Sequence, residues 1–169
     1  MRRLLLLALL GFVTPSAAEA QPRLLVGGGF SAPSGSIADA ADPGFHLQAS
    51  LQVAIPTLPL SLRGDGTFHR FGASGAGAAD PEILAGAGSL VYHLPGVSLQ
   101  PYILAGIGSY RTEAGPVDET EVVTDTGYHG GFGVAIGGLG FGAFAEVRYV
   151  QIQADQTARV IPLTVGFRF

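Results

Sequence analysis

The sequence predicts an all-β fold: an eight-stranded antiparallel up-and-down transmembrane β-barrel. Three observations carry the prediction. After residue 20 the chain divides into about eight stretches of period-2 alternation bounded by Gly- and Pro-rich turns. The connections between them alternate tight and long, as in membrane barrels. Charges within the stretches fall on the parity opposite the large apolar side chains.

Met1-Arg2-Arg3 precedes an apolar run, Leu4 to Val13, that is too short to cross a bilayer. Ala18-Glu19-Ala20 then supplies a cleavage motif, so residues 1–20 are read as a cleaved secretory signal peptide and residues 21–169 as the barrel. Cleavage would remove Arg2, Arg3 and Glu19, leaving seven arginines against twelve carboxylates, a net charge of −5. An acidic exported chain argues against nucleic acid as a partner. Glycine (26) and proline (11) are abundant and only 13% of residues are charged, which suits neither a disordered tail nor a water-facing surface. The absence of cysteine removes disulfides, thiolate metal sites and thiol nucleophiles.

The first predicted strand is Arg23 to Phe30, its register blurred by Gly27 to Gly29. The second, Phe45 to Ile55, alternates clearly: Phe45, Leu47, Ala49, Leu51 and Val53 against His46, Gln48, Ser50 and Gln52. After a turn at Pro56 to Pro59 comes Leu60 to Phe71, with Ser61, Arg63, Asp65, Thr67 and His69 on its polar face. The fourth strand runs from Glu82 to Leu94 and turns at Pro95-Gly96; the fifth covers Leu99 to Arg111. An acidic loop, Thr112 to Thr126, holds Glu113, Asp118, Glu119, Glu121 and Asp125. Gly127 to Ile136 and Phe141 to Ile152 follow, separated by a turn at Gly137-Gly138. The last strand is Val160 to Phe169, where Ile161, Leu163, Val165, Phe167 and Phe169 share one face to the final residue. An unpaired strand at a chain end frays or aggregates, so this one needs partners on both sides, and barrel closure supplies them. About 18 residues per strand and connection accommodate the 9–11 residues or so of a tilted membrane strand.

Charge placement predicts what fills the interior. Arg63, Asp65, Glu146, Arg148 and Arg168 share the inward parity, where an arginine facing lipid instead would cost ~2–4 kcal/mol at midplane. They are expected to pair across the lumen as a five-membered polar network. Arg70 and Arg111 sit at strand ends, where they can snorkel. Tyr92, Tyr102, Tyr110, Tyr128 and Tyr149 are expected in an aromatic girdle. A soluble barrel of the lipocalin kind would reverse this polarity.

The remaining motifs carry little chemistry. Leu84-Ala85-Gly86-x-Gly88-Ser89 recurs at Leu104 to Ser109 as a repeated strand unit; neither copy completes a nucleotide-binding glycine fingerprint. His46, His69, His93 and His129 have no metal-ligand spacing and read as lumen filling. No Ser and His stand two apart on any strand. The five carboxylates of the acidic loop lack a calcium-loop pattern and read as a solvated outer surface, with divalent-cation bridging to lipopolysaccharide as the sharper alternative. No catalytic residue, cofactor or metal is expected.

Pro101-Tyr102-Ile103-Leu104-Ala105-Gly106, Phe144-Ala145-Glu146-Val147-Arg148-Tyr149 and the terminal Thr164-Val165-Gly166-Phe167-Arg168-Phe169 resemble the small outer-membrane β-barrel family, the opacity-type or porin-like barrels of Gram-negative bacteria. The resemblance implies the bacterial outer membrane, with its lipids and lipopolysaccharide as surroundings. It also implies an assembly signal in Val165, Phe167 and Phe169 that the barrel-assembly machinery reads. Function is expected to be structural or surface-interacting, through outer loops that meet an extracellular ligand. A narrow channel for ions or small apolar molecules is the alternative, and a membrane-embedded lipid-modifying enzyme the third.

Overall fold

Backbone hydrogen bonding runs without a break around a ring of eight strands in the computed structural model, which describes residues 21–35, 41–73, 80–114, 121–137, 140–154 and 157–169. The strands are β1 (Pro22–Gly35), β2 (Ala41–Ala54), β3 (Leu60–Ala73), β4 (Glu82–His93), β5 (Leu99–Ala114), β6 (Glu121–Gly137), β7 (Gly142–Ile152) and β8 (Ala158–Arg168). Each is antiparallel to the next, and β8 returns to β1 to close the barrel. Closure reaches the last residue: the Phe169 amide donates to the Leu24 carbonyl (2.8 Å), and the Leu24 amide donates back to Phe169 (3.1 Å). The C-terminal strand is therefore paired on both sides. Residues 1–20, read above as a signal peptide, lie outside the described residues.

The start of β1 and the end of β8 share one end of the barrel with the tight turns. There the Ile55 amide donates to Leu60 (2.8 Å) and the Leu94 amide to Pro101 (2.9 Å). Along β2 and β8 the alternation is strict. Leu47, Leu51, Leu163, Val165 and Phe167 are exposed while Gln48, Ser50, Thr164 and Arg168 are buried. Phe30 (74% exposed), Phe132 (63%) and Leu47 (60%) project outward, an apolar surface too extensive for water and suited to lipid.

Four expectations need correction. The acidic loop is partly strand: Glu113 belongs to β5, Glu121 and Asp125 belong to β6, and Ala114 pairs with Glu121. Alternation fades there because both faces can be solvated, although the ladder continues. Asp118 and Glu119 lie outside the described residues. Second, Tyr102 and Tyr110 are not girdle residues; they share the inward parity of Leu104 and are buried, whereas Tyr92, Tyr128 and Tyr149 face out. Third, β7 does not segregate cleanly. Glu146 fixes its inward parity, and that face also carries Phe144, Val150 and Ile152, leaving Ala143, Ala145 and Val147 outside. Fourth, the two Leu-Ala-Gly-x-Gly-Ser copies are not equivalent. They pair with each other antiparallel on β4 and β5 with opposite parity, so Leu84 is exposed and Leu104 buried.

The interior is layered along the barrel axis. Phe71, Ile83, Ala85, Tyr110, Val150, Ile152 and Val160 form an apolar cluster towards the long-connection end. Leu25, Val91, Tyr102, Leu104, Ala135 and Phe144 form a second towards the tight-turn end. Arg63, Asp65, Glu146 and Arg148 lie between them. Inward glycines leave room for the large side chains: a Cβ on Gly133 would meet the Tyr102 ring, and one on Gly127 the Tyr110 ring.

Candidate functional site

β3 and β7 are four strands apart in the ring of eight, so their inward residues meet across the lumen. Alternation places Arg63 and Asp65 on the inner face of β3, and Glu146 and Arg148 on that of β7. Arg63 donates from both terminal nitrogens to Glu146, Nη1 to Oε2 at 2.8 Å and Nη2 to Oε1 at 3.0 Å. Arg148 does the same to Asp65, Nη2 to Oδ1 at 3.0 Å and Nη1 to Oδ2 at 3.3 Å. Arg148 Nε donates to Glu146 Oε1 at 2.5 Å along its own strand. Arg63 Nε lies 3.2 Å from Asp65 Oδ1, near enough for ion pairing but not aligned as a hydrogen bond. Each guanidinium thus touches both carboxylates, and the four charges sum to zero.

A neutral shell completes the set. Tyr102 donates its hydroxyl to Glu146 Oε2 at 2.8 Å. Asp65 accepts from Ser50 (2.6 Å) and Ser89 (3.1 Å). Since Ser89 spends its proton there, His129 Nε2, 2.8 Å away, must be the donor to Ser89. His129 Nδ1 is then left to accept from the Tyr110 hydroxyl at 3.4 Å. One tautomer satisfies the whole chain. A separate group sits nearer the long-connection end, where Ser31 Oγ lies 3.0 Å from His46 Nδ1 and 2.8 Å from His69 Nδ1, and His46 Nε2 reaches Thr164 Oγ1 at 2.8 Å.

The structure brings together Arg63, Asp65, Glu146 and Arg148 but leaves out Arg168, so the five-membered network is corrected to four. Depth is the reason. On the β7–β8 ladder Glu146 is opposite Thr164, while Arg168 is opposite Gly142. Four residues of strand put Arg168 about 13 Å nearer the tight-turn end. There its two terminal nitrogens donate to Gln100 Oε1 at 3.2 and 3.1 Å. Phe169 and Phe167 pack their rings around Phe141, with centroids 5.6 Å apart in each case, and with Val165 they face outward.

Sequence reasoning put Ser50 and His129 on the polar, inward side without linking them to the charges, and missed Tyr102 and Ser89. No Ser and His stand two apart in sequence, but cross-strand pairing brings Ser89 to His129 and Ser31 to His46 and His69. Neither group has the relay order of a hydrolase. Asp65 bonds Ser89 rather than His129, and Ser31 and Ser89 are buried inside the barrel, away from any lipid substrate. Among the described residues no three His, Asp or Glu side chains converge as a metal site.

Below the tight-turn apolar layer the lumen opens into a cavity of about 370 Å³ lined by Arg23, Gln52, Ser61, His93 and Gln100. At the opposite rim Arg70 pairs with Asp80 (3.2 Å) and Glu82 (3.5 Å), and Arg111 with Glu113 (2.8 Å), all partly exposed.

Residues 4–169 match the family model described as Outer membrane protein beta-barrel domain. Among solved structures, the chain is similar to Neisserial surface protein A at 20% identity, covering 87% of this chain and 95% of that one with a TM-score of 0.70. It is also similar to the N-terminal β-barrel domain of OprF from Pseudomonas aeruginosa (17% identity, 87% and 97% covered, TM-score 0.55). A third is Ail, the attachment invasion locus protein of Yersinia pestis (15% identity, 88% and 99% covered, TM-score 0.55), which has also been solved with the heparin analogue sucrose octasulfate. At these identities the likeness is one of fold. No curated protein matches the sequence.

Proposed function

The chain belongs to the outer membrane protein beta-barrel domain family and resides in the bacterial outer membrane, and from that premise we propose that it acts through its outer surface around a lumen that does not conduct. One observation carries the closed-lumen reading. The Arg63–Glu146–Arg148–Asp65 network spans β3 to β7 with matched charge, and an apolar layer lies on each side of it. An ion on this path would have to separate buried bidentate pairs and cross two layers that offer it little solvation. An interior of eight strands is also just wide enough for side chains to fill. Planar-bilayer recording tests this. The purified barrel should show no steady conductance, and a stable open level in the wild type would replace the reading with a narrow channel.

The surface role is non-enzymatic and falls to the long-connection end. β5 and β6, at 16 and 17 residues, are longer than β7 and β8, at 11 residues each. Near this end β6 exposes Glu121, Val122 and Val123. Arg70 and Arg111 are occupied by Asp80, Glu82 and Glu113, which leaves this rim acidic in balance. A polyanion of the kind solved with Ail would be repelled, so a basic ligand, or lipopolysaccharide phosphate bridged by divalent cations, suits it better. For assembly, Val165, Phe167 and Phe169 form the outward apolar end that the barrel-assembly machinery would read. Deleting Phe169, or changing it to Asp, should leave the chain unassembled in the periplasm; normal yields of heat-modifiable folded barrel would count against that assignment.

A further inference from the structure

The tight-turn end of the lumen holds cationic groups without the carboxylates that match them elsewhere. Arg23 lies on the inward parity of β1, two residues before buried Leu25, and lines the 370 Å³ cavity. A crevice continues inward from that cavity past Arg23, Gln52 and His93 to Tyr102, Phe144 and Arg168. Among the described residues no Asp or Glu lines either space. Among the described residues no carboxylate lies within ion-pair distance of Arg23, and Arg168 rests on the neutral Gln100 oxygen.

The surroundings are donors set in an apolar frame. His93 Nε2 lies 2.9 Å from Ser61 Oγ and 3.3 Å from Gln52 Nε2, so the ring is held at the wall. Gln100 uses its oxygen on Arg168, which leaves its amide N–H groups as donors. Leu58, Pro59, Leu94 and Pro95 form the rim. Low-dielectric walls around two like charges raise the local affinity for anions, and guanidinium forks suit oxyanions in particular.

We infer that this vestibule is a binding site for a compact oxyanion, of the phosphate or phosphomonoester class, entering from the tight-turn side. The cavity is large enough for such an anion and is walled off from the charged belt by Leu25, Tyr102, Ala135 and Phe144. The ligand would bind without passing through. The site is therefore separable from the closed-lumen reading: solution binding tests one and bilayer conductance the other.

The test uses the refolded barrel in a phosphate-free, uncharged glucoside detergent, with inorganic phosphate as the probe, followed by ³¹P line broadening and equilibrium dialysis. Saturable binding is expected, weakened about tenfold or more by Arg23→Gln and by Gln100→Glu, which sets a carboxylate against Arg168. Arg70→Gln, at the far end, should bind as the wild type does. Arg23 is exposed and has no ion pair among the described residues, so its variant should fold and decides the matter if Gln100→Glu does not refold. Absence of saturable binding, or equal binding by Arg23→Gln, overturns the inference. So does broadening seen only with an added short-chain phosphatidylglycerol, which would assign the site to a lipid headgroup.

Discussion

Arg148 and Arg168 both point into the barrel, both are nearly buried, and their settings are opposite. Arg148, at the middle of the lumen, meets Asp65 and Glu146 together. Arg168, at the tight-turn end, meets the neutral Gln100 amide oxygen and, among the described residues, no carboxylate. The difference tracks distance from water. Between two apolar layers a charge has no solvent to fall back on, so Arg63 and Arg148 are answered by two carboxylates, which in turn accept from a tyrosine and two serines. Arg168 borders a crevice that leads to the open vestibule, where water and a neutral amide suffice. Inward parity alone therefore fixes neither a side chain's partner nor its contribution to stability; depth does.

The comparison is tested most severely at Glu146. Glu146→Ala strands both Arg63 and Arg148 against a single remaining carboxylate and removes the acceptor for Tyr102. Urea unfolding in lipid vesicles should show a loss of about 3–5 kcal/mol, the scale for breaking a buried charge set by one member. A cost below about 1 kcal/mol would mean that water reaches the middle of the lumen and that the two regions do not differ. Asp65→Asn should cost less, about 1–3 kcal/mol. The amide oxygen can still accept from Arg148, and Ser50, Ser89 and Gln48 surround the group with adaptable partners.

Gly133→Ala probes the same region by shape rather than charge. An added methyl there would meet the Tyr102 ring and the Ala145 carbonyl, displacing the hydroxyl that Tyr102 gives Glu146. The expected loss is about 1–3 kcal/mol, typical of overpacking. Gly86→Ala is the control. That glycine faces outward with nothing within 4 Å of the added carbon, so stability should stay within about 0.5 kcal/mol.

The contrast also explains what the sequence could disclose. β2 and β8 were legible because one face is uniformly apolar and the other polar, which leaves the register no freedom. β5 and β7 carry large apolar residues on both faces, and the tyrosines of β5 were misassigned to the girdle. A usable signal existed: Glu146 sets the inward parity of β7, so Phe144, Val150 and Ile152 had to be inside with it. The apolar layers at either side of the charges follow from that count. Depth had no such signal. Which residue of β7 sits beside Thr164 depends on strand stagger around the ring, and a sequence states parity without stagger. Arg168 could therefore be placed inside, but not apart from the network.

Among changes to the charged residues inside the lumen, Arg168→Gln should have the smallest effect, and it bears on the comparison from the other side. The substitution removes a charge with no carboxylate partner, so nothing is stranded when it goes. The Gln100 oxygen it leaves unpaired belongs to a residue that lines the open vestibule, which supplies water to it. Gly142, pressed against the Arg168 side chain, gains room rather than losing it. Unfolding free energy should change by less than about 1 kcal/mol. The decisive form of the experiment is a double-mutant cycle with Glu146→Ala. Groups about 13 Å apart along the barrel axis, with no shared hydrogen-bond partner among the described residues, should add within about 0.5 kcal/mol. A coupling well above that would show that Arg168 is tied electrostatically to the central charges, and the interior would then have to be treated as one charged system rather than a sealed belt beside a wet vestibule.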